Sequence, residues 1–499
     1  MINSPTKKES PAIERPPVVA VMGHIDHGKS KLLDYIRHTN VVENESGGIT
    51  QHTSAYEVSH QERKITFLDT PGHAAFTAMR DRGARIADLA ILVVSAEEGV
   101  KPQTLEALES IKTQKIPFVV AINKIDKPEA DPTKTRQGLA ENGVFVEGYG
   151  GNVPCAEISA LTGAGVNELL DLLLLAAEME ELTGKASSPA TGFVLESHLD
   201  PRSGNTATLI VKDGTLRLGD FLVIGRAVTK IKQLNDFRRQ PAPALTFSAP
   251  AEIFGFSDLP PVGAPFRAFA DKSEATAFAA TAAGPEKSNS VLPPPAEGAI
   301  VIPLIVKTDV AGTLEAVLKE LAKLTVEQTA LELIGAGVGA ITENDVQTLS
   351  AFPRAKIIGF RVKTDKGALA LAEKTGVVIK TSDVIYQLSE WLEAELQAVA
   401  PQQITEEILG RAKILKTFGR TKDKQIVGAT VVSGVITAGR SCKIIRRETE
   451  IGRGRIIGLQ VQKIKVSEVG GNDQFGAEIE ARAEIAIGDY LEIFTANVK

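Results

Sequence analysis

The chain has 499 residues, 43% hydrophobic and 24% charged, which is too apolar for wholesale disorder and, at about 150 residues per domain, long enough for three or four domains. With 56 Lys plus Arg against 62 Asp plus Glu the net charge is −6, so contact with nucleic acid has to come from a local basic patch. Two distant cysteines, Cys155 and Cys442, exclude a disulfide scaffold; no apolar run spans a bilayer, and Met1 to Pro17 lacks a secretory apolar segment, so a cytoplasmic protein without a membrane partner is expected.

In chain order, residues 1–16 read as a short disordered tail. From 17 to 184, strand-like runs (Val18 to Met22, Ile65 to Leu68, Leu89 to Val94, Phe118 to Ile122, Val153 to Ser159) alternate with helical patterns, as in a mainly parallel sheet flanked by helices. Tyr56 to Ser59 reads as an antiparallel edge strand turning through His60 to Lys64, and Val166 to Leu182 as a closing helix. Residues 190–270 change to short β runs broken by prolines, which predicts a β-barrel. Residues 271–298 read as a linker whose start, Ser273 to Ala283, is Ala-rich and helix-compatible. Residues 299–381 alternate again, as a second and smaller α/β domain. Residues 382–400 form a connecting helix with a cap expected at Ser382 or Asp383, and 405–499 return to β runs, a second barrel.

Chemistry concentrates in the first domain. Gly23-His24-Ile25-Asp26-His27-Gly28-Lys29-Ser30 follows a strand and opens a helix, the context of a phosphate-binding loop: glycines let the backbone curl round phosphates, Lys29 supplies a cation, and Ser30 an oxygen for Mg²⁺. Asp69-Thr-Pro-Gly72-His73 follows the next strand, where Asp69 reaches the metal, the Gly72 N–H senses a γ-phosphate, and His73 is the candidate that orients the attacking water. Asn123-Lys124-Ile125-Asp126 ends another strand. The Asp126 carboxylate matches the ring N–H and exocyclic amine of guanine, and adenine leaves it unpaired, so the expected ligands are GTP and GDP. Ser159 and Ala160 end the last strand and offer a backbone N–H to the guanine carbonyl. In Gly47-Gly-Ile49-Thr50-Gln-His52, a polar and Gly-rich segment, Thr50 is placed to close over Mg²⁺ and the γ-phosphate. Four of the seven histidines (His24, His27, His52, His73) lie in these loops.

These strings, with Ala74-Ala-Phe76, Lys127-Pro128, Gly214-Thr-Leu-Arg-Leu-Gly-Asp220, Ile334 to Glu343 and Ser382-Asp-Val-Ile-Tyr386, resemble the translational GTPases and, within them, the bacterial translation initiation factor two family, along nearly the whole chain. The resemblance implies a multidomain α/β plus β fold: a P-loop GTPase domain, a β-barrel, an α/β/α domain, a long connecting helix and a C-terminal β-barrel that binds the initiator tRNA. It implies a monomer that works with both ribosomal subunits and formylmethionyl initiator tRNA. It assigns Thr50 to the first switch and Asp69 to His73 to the second, with Ile25 and Ile49 as a hydrophobic gate that holds His73 back until the ribosome engages. Three departures stand out: an N-terminal extension reduced to about 16 residues, Ser30 where relatives often have Thr, and Gln474-Phe475-Gly476 where many carry Glu-Cys-Gly near the formylmethionine site. From Arg411 to Lys465, 14 basic residues face 3 acidic ones, a patch suited to RNA. An elongation-type tRNA carrier and an RNA-binding adaptor that uses GTP only structurally are the competing readings.

Overall fold

The computed structural model describes residues 12–38, 53–282, 292–295, 298–400, 404–421 and 423–498. The predicted tail up to residue 11, the segment 39–52 with Ile49, Thr50 and His52, and most of the predicted linker beyond residue 282 lie outside these. The chain divides into two compact units, residues 1–400 and 401–499.

In the first unit the strands β1 (Val18–Gly23), β2 (Ser54–His60), β3 (Arg63–Asp69), β4 (Leu89–Ser95), β5 (Phe118–Asn123) and β6 (Cys155–Glu157) form one sheet in the order β2-β3-β1-β4-β5-β6. Every neighbouring pair is parallel except β2–β3, a hairpin turning at Gln61 and Glu62, both at positive φ. The β1 and β4 strands are buried along their whole length, which is why they read as unbroken apolar runs. Helices α1 (Lys29–Arg37), α2 (Thr77–Ile86), α3 (Pro102–Gln114), α4 (Pro132–Glu141) and α5 (Val166–Met179) cover the faces. On one side α1 and α5 contribute Leu32, Leu33, Leu169 and Leu173 to a core with Val19, Phe67 and Ile91; on the other, α3 contributes Leu108 and Ile111.

Residues 191–269 form an antiparallel seven-stranded sheet with its own core of Val194, Leu209, Leu222 and Ile253. It docks on the first sheet through Leu195 and Ile210, packed with Val18, Leu68 and Ile86. At the same seam the Lys212 ammonium is 2.6 Å and the Arg15 guanidinium 2.7 Å from the Asp88 carboxylate. The expected Ala-rich helix is present, as α6 (Lys272–Thr281), capped by the Asp271 side chain.

Further on, β7 (Ile300–Thr308), β8 (Thr329–Val338), β9 (Lys356–Phe360) and β10 (Val378–Ser382) make a parallel sheet in the order β8-β7-β9-β10, with α7 (Ala311–Ala322), α8 (Glu343–Leu349) and α9 (Lys366–Thr375) as its crossovers. The exit helix α10 (Ile385–Val399) buries Ile385, Leu388, Leu392 and Leu396 against this domain. Its N-cap is Val384, not Ser382 or Asp383. Ser382 ends β10 and bends the chain instead, its hydroxyl accepting the Val384 N–H at 3.0 Å.

The second unit is a closed antiparallel barrel: strands β11 (Ile404–Thr421), β12 (Lys424–Gly434), β13 (Ser441–Arg446), β14 (Thr449–Val461), β15 (Gln474–Ala481) and β16 (Tyr490–Val498) run in the order β13-β16-β11-β12-β15-β14, and β13–β14 pairing closes the ring. Closure removes the sheet edges, and Ile414, Val427, Ile444, Ile479 and Ile493 fill the interior. No helix among the described residues is long and apolar enough to cross a membrane.

Candidate functional site

All the described motif residues of the first domain lie at the C-terminal edge of its parallel sheet, where open α/β sheets leave a crevice for ligands. The phosphate loop leaves β1 at Gly23, makes one 3₁₀ turn over Ile25–His27 and enters α1 through Gly28, whose φ of 87° lies in the left-handed region. A Cβ on Gly28 would meet the Asn123 amide nitrogen at 2.3 Å, so glycine is required by conformation and by space together. His24, Ile25 and Ser30 are half-buried and Asp26 is exposed; the Ile25 N–H donates to Gln103 Oε1 at 3.3 Å.

Lys29 is almost completely buried and its ammonium donates to the His24 carbonyl at 2.7 Å. Burial is the main influence and pushes its pKa down to about 8, against the opposing pull of the Asp69 carboxylate. That carboxylate, at the end of β3, is itself buried. A Cβ on Gly72 would meet Lys29 Nζ at 2.4 Å, so the second motif passes over the lysine with only a hydrogen between them. His27 is fully buried. Burial, reinforced by His24, lowers its pKa to about 3, which leaves it a neutral ring at physiological pH.

His73 is 5% exposed and its Nδ1 accepts the Ala75 N–H at 2.9 Å, which leaves the proton of the neutral ring on Nε2. Burial lowers its pKa as well. Two residues that the motif reading missed hold this histidine. Arg80, 1% exposed, donates to the carbonyls of Gly72 at 2.7 Å and of His73 at 3.0 Å and pairs with Glu106. Tyr386, from α10, meets the His73 ring edge to face with centroids 4.3 Å apart. Arg80 carries no motif signature; Tyr386 stands in a string quoted above only for its resemblance. Behind them Ala75, Phe76 and Met79 are part of the core formed by α7 and α10.

On the base side Asn123 joins three loops. Its amide nitrogen donates to the His27 carbonyl at 2.8 Å, and its oxygen accepts the Ala160 N–H at 2.9 Å. Of the backbone N–H groups that Ser159 and Ala160 offer, that of Ala160 is engaged by Asn123. Asp126 is exposed and takes the Ser159 hydroxyl at 2.6 Å, the main influence holding its carboxyl below the usual range. Lys124, at a φ of 66°, turns its ammonium to Glu97 and Glu98.

Residues 14–179 match the family model of the elongation factor Tu GTP binding domain, 189–269 that of elongation factor G domain 2, and 289–393 that of translation-initiation factor 2. Translation initiation factor IF-2 of Halothermothrix orenii is 42% identical over 494 residues, covering 96% of this chain and 72% of that one. The chain belongs to the translation initiation factor IF-2 family. The IF-2 of Bacillus cytotoxicus is 41% identical and covers 99% of this chain and 73% of its own. That of Carboxydothermus hydrogenoformans is 40% identical, with 96% of this chain and 60% of its own covered. The chain thus spans roughly three fifths to three quarters of the length of these IF-2 relatives. A solved structure titled GDP-bound aIF5B from Aeropyrum pernix is 29% identical over 98% of this chain and 92% of its own, with a TM-score of 0.48. In the Gln474-Phe475-Gly476 stretch, Phe475 fills the core of the second unit's barrel at 4% exposure, while Gln474 is exposed.

Proposed function

We propose that this chain is a ribosome-dependent GTPase of translation initiation, which in its GTP form holds formylmethionyl initiator tRNA on the small subunit, promotes subunit joining and lets go after hydrolysis. The observation that carries the nucleotide reading is the Asn123 junction. One side chain ties the phosphate loop to the Ser159–Ala160 loop while Asp126 beside it presents an exposed carboxylate, which supports a phosphate site and a guanine site held at a fixed spacing. Lys29 and the N–H groups of Gly23 to Ser30 bind the phosphates, with Gly72 against the terminal one. Ser30 and Asp69 offer a hydroxyl and a carboxylate, the hard oxygen donors that Mg²⁺ takes, and Thr50, outside the described residues, completes the set. When bound, the ion neutralises phosphate charge. Asn123, Lys124, Asp126, Ser159 and Ala160 form the guanine side.

His73 is the residue that orients water. In the geometry seen here it is packed against Tyr386, which supports slow hydrolysis until the ribosome engages; Ile25 and Ile49 are the gate. For the tRNA, the barrel of the second unit offers the basic stretch from Arg411 to Lys465 and cation–aromatic pairs such as Arg411 over Tyr490 at 4.4 Å. The protein acts as a monomer in the cytoplasm. Purified chain should bind GTP far more tightly than ATP and turn it over rapidly only with both ribosomal subunits. Rapid turnover without ribosomes, or equal binding of initiator and elongator tRNA, would sink the proposal.

A further inference from the structure

The phosphate loop carries a second constellation that the nucleotide chemistry does not use. His24 and His27 bracket the 3₁₀ turn, their rings 4.9 Å apart, and Glu98 approaches from the turn after β4. One donor atom from each of the three lies within 4.8 Å of the other two. His27 is fully buried, and its Nδ1 is 3.4 Å from the Val93 carbonyl, an arrangement that puts the ring proton on Nδ1 and the lone pair on Nε2. That Nε2 has no hydrogen-bond partner among the described residues, nor has the buried His24 Nδ1. Two buried ring nitrogens left without partners among the described residues, one at each end of a single turn, are unusual, because an unmet buried polar atom is destabilising.

We infer that His24, His27 and Glu98 form a binding site for one divalent transition-metal ion of the zinc type, separate from the oxygen donors at Ser30 and Asp69. Two imidazoles and a carboxylate are a borderline donor set that favours Zn²⁺ or Co²⁺ over Mg²⁺, and three protein ligands leave a fourth position for water. The bond from His27 Nδ1 to a backbone carbonyl is the outer-shell support that metal-bound histidines use. Zinc–ligand bonds of about 2.0–2.1 Å require the three donors to draw closer. Glu98 is the partner with room to shift: its side chain is 31% exposed, and among the described residues its ion pairs, to Lys124 at 3.4 Å and Lys101 at 3.5 Å, are long. This inference stands whether or not the nucleotide reading does.

The test uses the full chain, stripped of nucleotide and metal, titrated with Co²⁺ alone and then with Zn²⁺. Cobalt should saturate at one equivalent with the visible bands of a low-coordinate nitrogen–oxygen site, and zinc should displace it. Glu98→Gln and His24→Gln should each weaken binding at least about tenfold without changing the melting curve. Absence of saturable uptake overturns the site, as does unchanged affinity in either variant. A thiolate charge-transfer band, placing the ion on Cys155 or Cys442, overturns it as well. The cobalt spectrum of the unaltered chain decides the matter even if a variant folds poorly.

Discussion

The imidazole of His73 and the phenol ring of Tyr386 touch edge to face, 4.3 Å between centroids, although one follows a strand of the first domain and the other opens the exit helix of the third. The other contacts of the ring are local, with the Ala75 N–H on Nδ1 and the Phe76 ring edge at 6.1 Å between centroids. Whatever moves α10 therefore acts on the ring assigned to water, and whatever moves that ring acts on α10.

Tyr386→Leu removes the aromatic half of this contact and keeps an apolar helix start. Aromatic pairs contribute about 0.5–1.5 kcal/mol beyond burial, so ribosome-free GTP hydrolysis should rise by up to about tenfold, read by single-turnover assay. His73→Ala should lower ribosome-stimulated turnover by about 10²–10⁴-fold with nucleotide affinity kept. An unchanged rate in both variants would remove His73 from the mechanism.

Arg80→Met should destabilise the first unit by about 2–4 kcal/mol, because it leaves the Gly72 and His73 carbonyls without their donor in a buried site. Denaturant melts measure this. A loss below about 0.5 kcal/mol would mean that solvent replaces the guanidinium.

In the proposed guanine site, Asp126→Asn replaces a charged acceptor for two guanine N–H groups by an amide with one oxygen. GTP affinity should fall by about 10²-fold, at about 1.5–3 kcal/mol per charge-assisted bond, with ATP binding unchanged. The Ser159 hydroxyl keeps the Asp126 carboxyl below the usual range, so guanine binding should hold through mildly acidic pH and decline only as the pH falls through that lowered value. Equilibrium binding from pH 7 downward tests this.

Lys29, with its pKa pushed down by burial to about 8, gives a basic-limb prediction. Below pH 8 the ammonium is present; above it the nucleotide-free chain loses the proton that bound phosphate needs. Phosphate raises the lysine pKa, so GDP binding at pH 8.5–9 should take up a proton and weaken as pH rises. Calorimetry in buffers of different ionisation enthalpy reads the uptake, and zero uptake would contradict the burial seen here.

Asp88 links the first sheet to the antiparallel sheet of residues 191–269. Burial alone would raise its carboxyl, but hydrogen bonds from Arg15 and the charge of Lys212 outweigh this and hold it below the usual carboxylate value. A lowered folded-state pKa stabilises above about pH 4, the unfolded value, and that contribution is lost as pH falls through the folded value. Asp88→Asn should therefore lower the neutral-pH melting temperature and flatten the acid limb of stability. A parallel acid profile in the variant would contradict the linkage.

Much of the proposed nucleotide site was legible in the amino-acid order because its requirements are local. A loop that wraps phosphate needs glycine at set places between a strand and a helix, and a carboxylate that reads guanine sits a fixed distance past a strand end; Gly28, Lys29, Asp69, Asn123 and Asp126 declare themselves by spacing. Unbroken apolar runs likewise marked the parallel strands, since a strand covered on both faces must be apolar throughout, and short β runs broken by turns marked the antiparallel domains, whose strands bury one face. Tertiary structure alone decided which groups share a lone pair or a ring face. Asn123 takes the Ala160 N–H, Arg80 closes over two carbonyls, and Tyr386 reaches His73, because such contacts depend on how separate elements pack and no periodicity within one element encodes them. The same holds for His24, His27 and Glu98: the histidines are neighbours in sequence, but only the docking of β4 beside the phosphate loop brings a carboxylate to their unmet nitrogens.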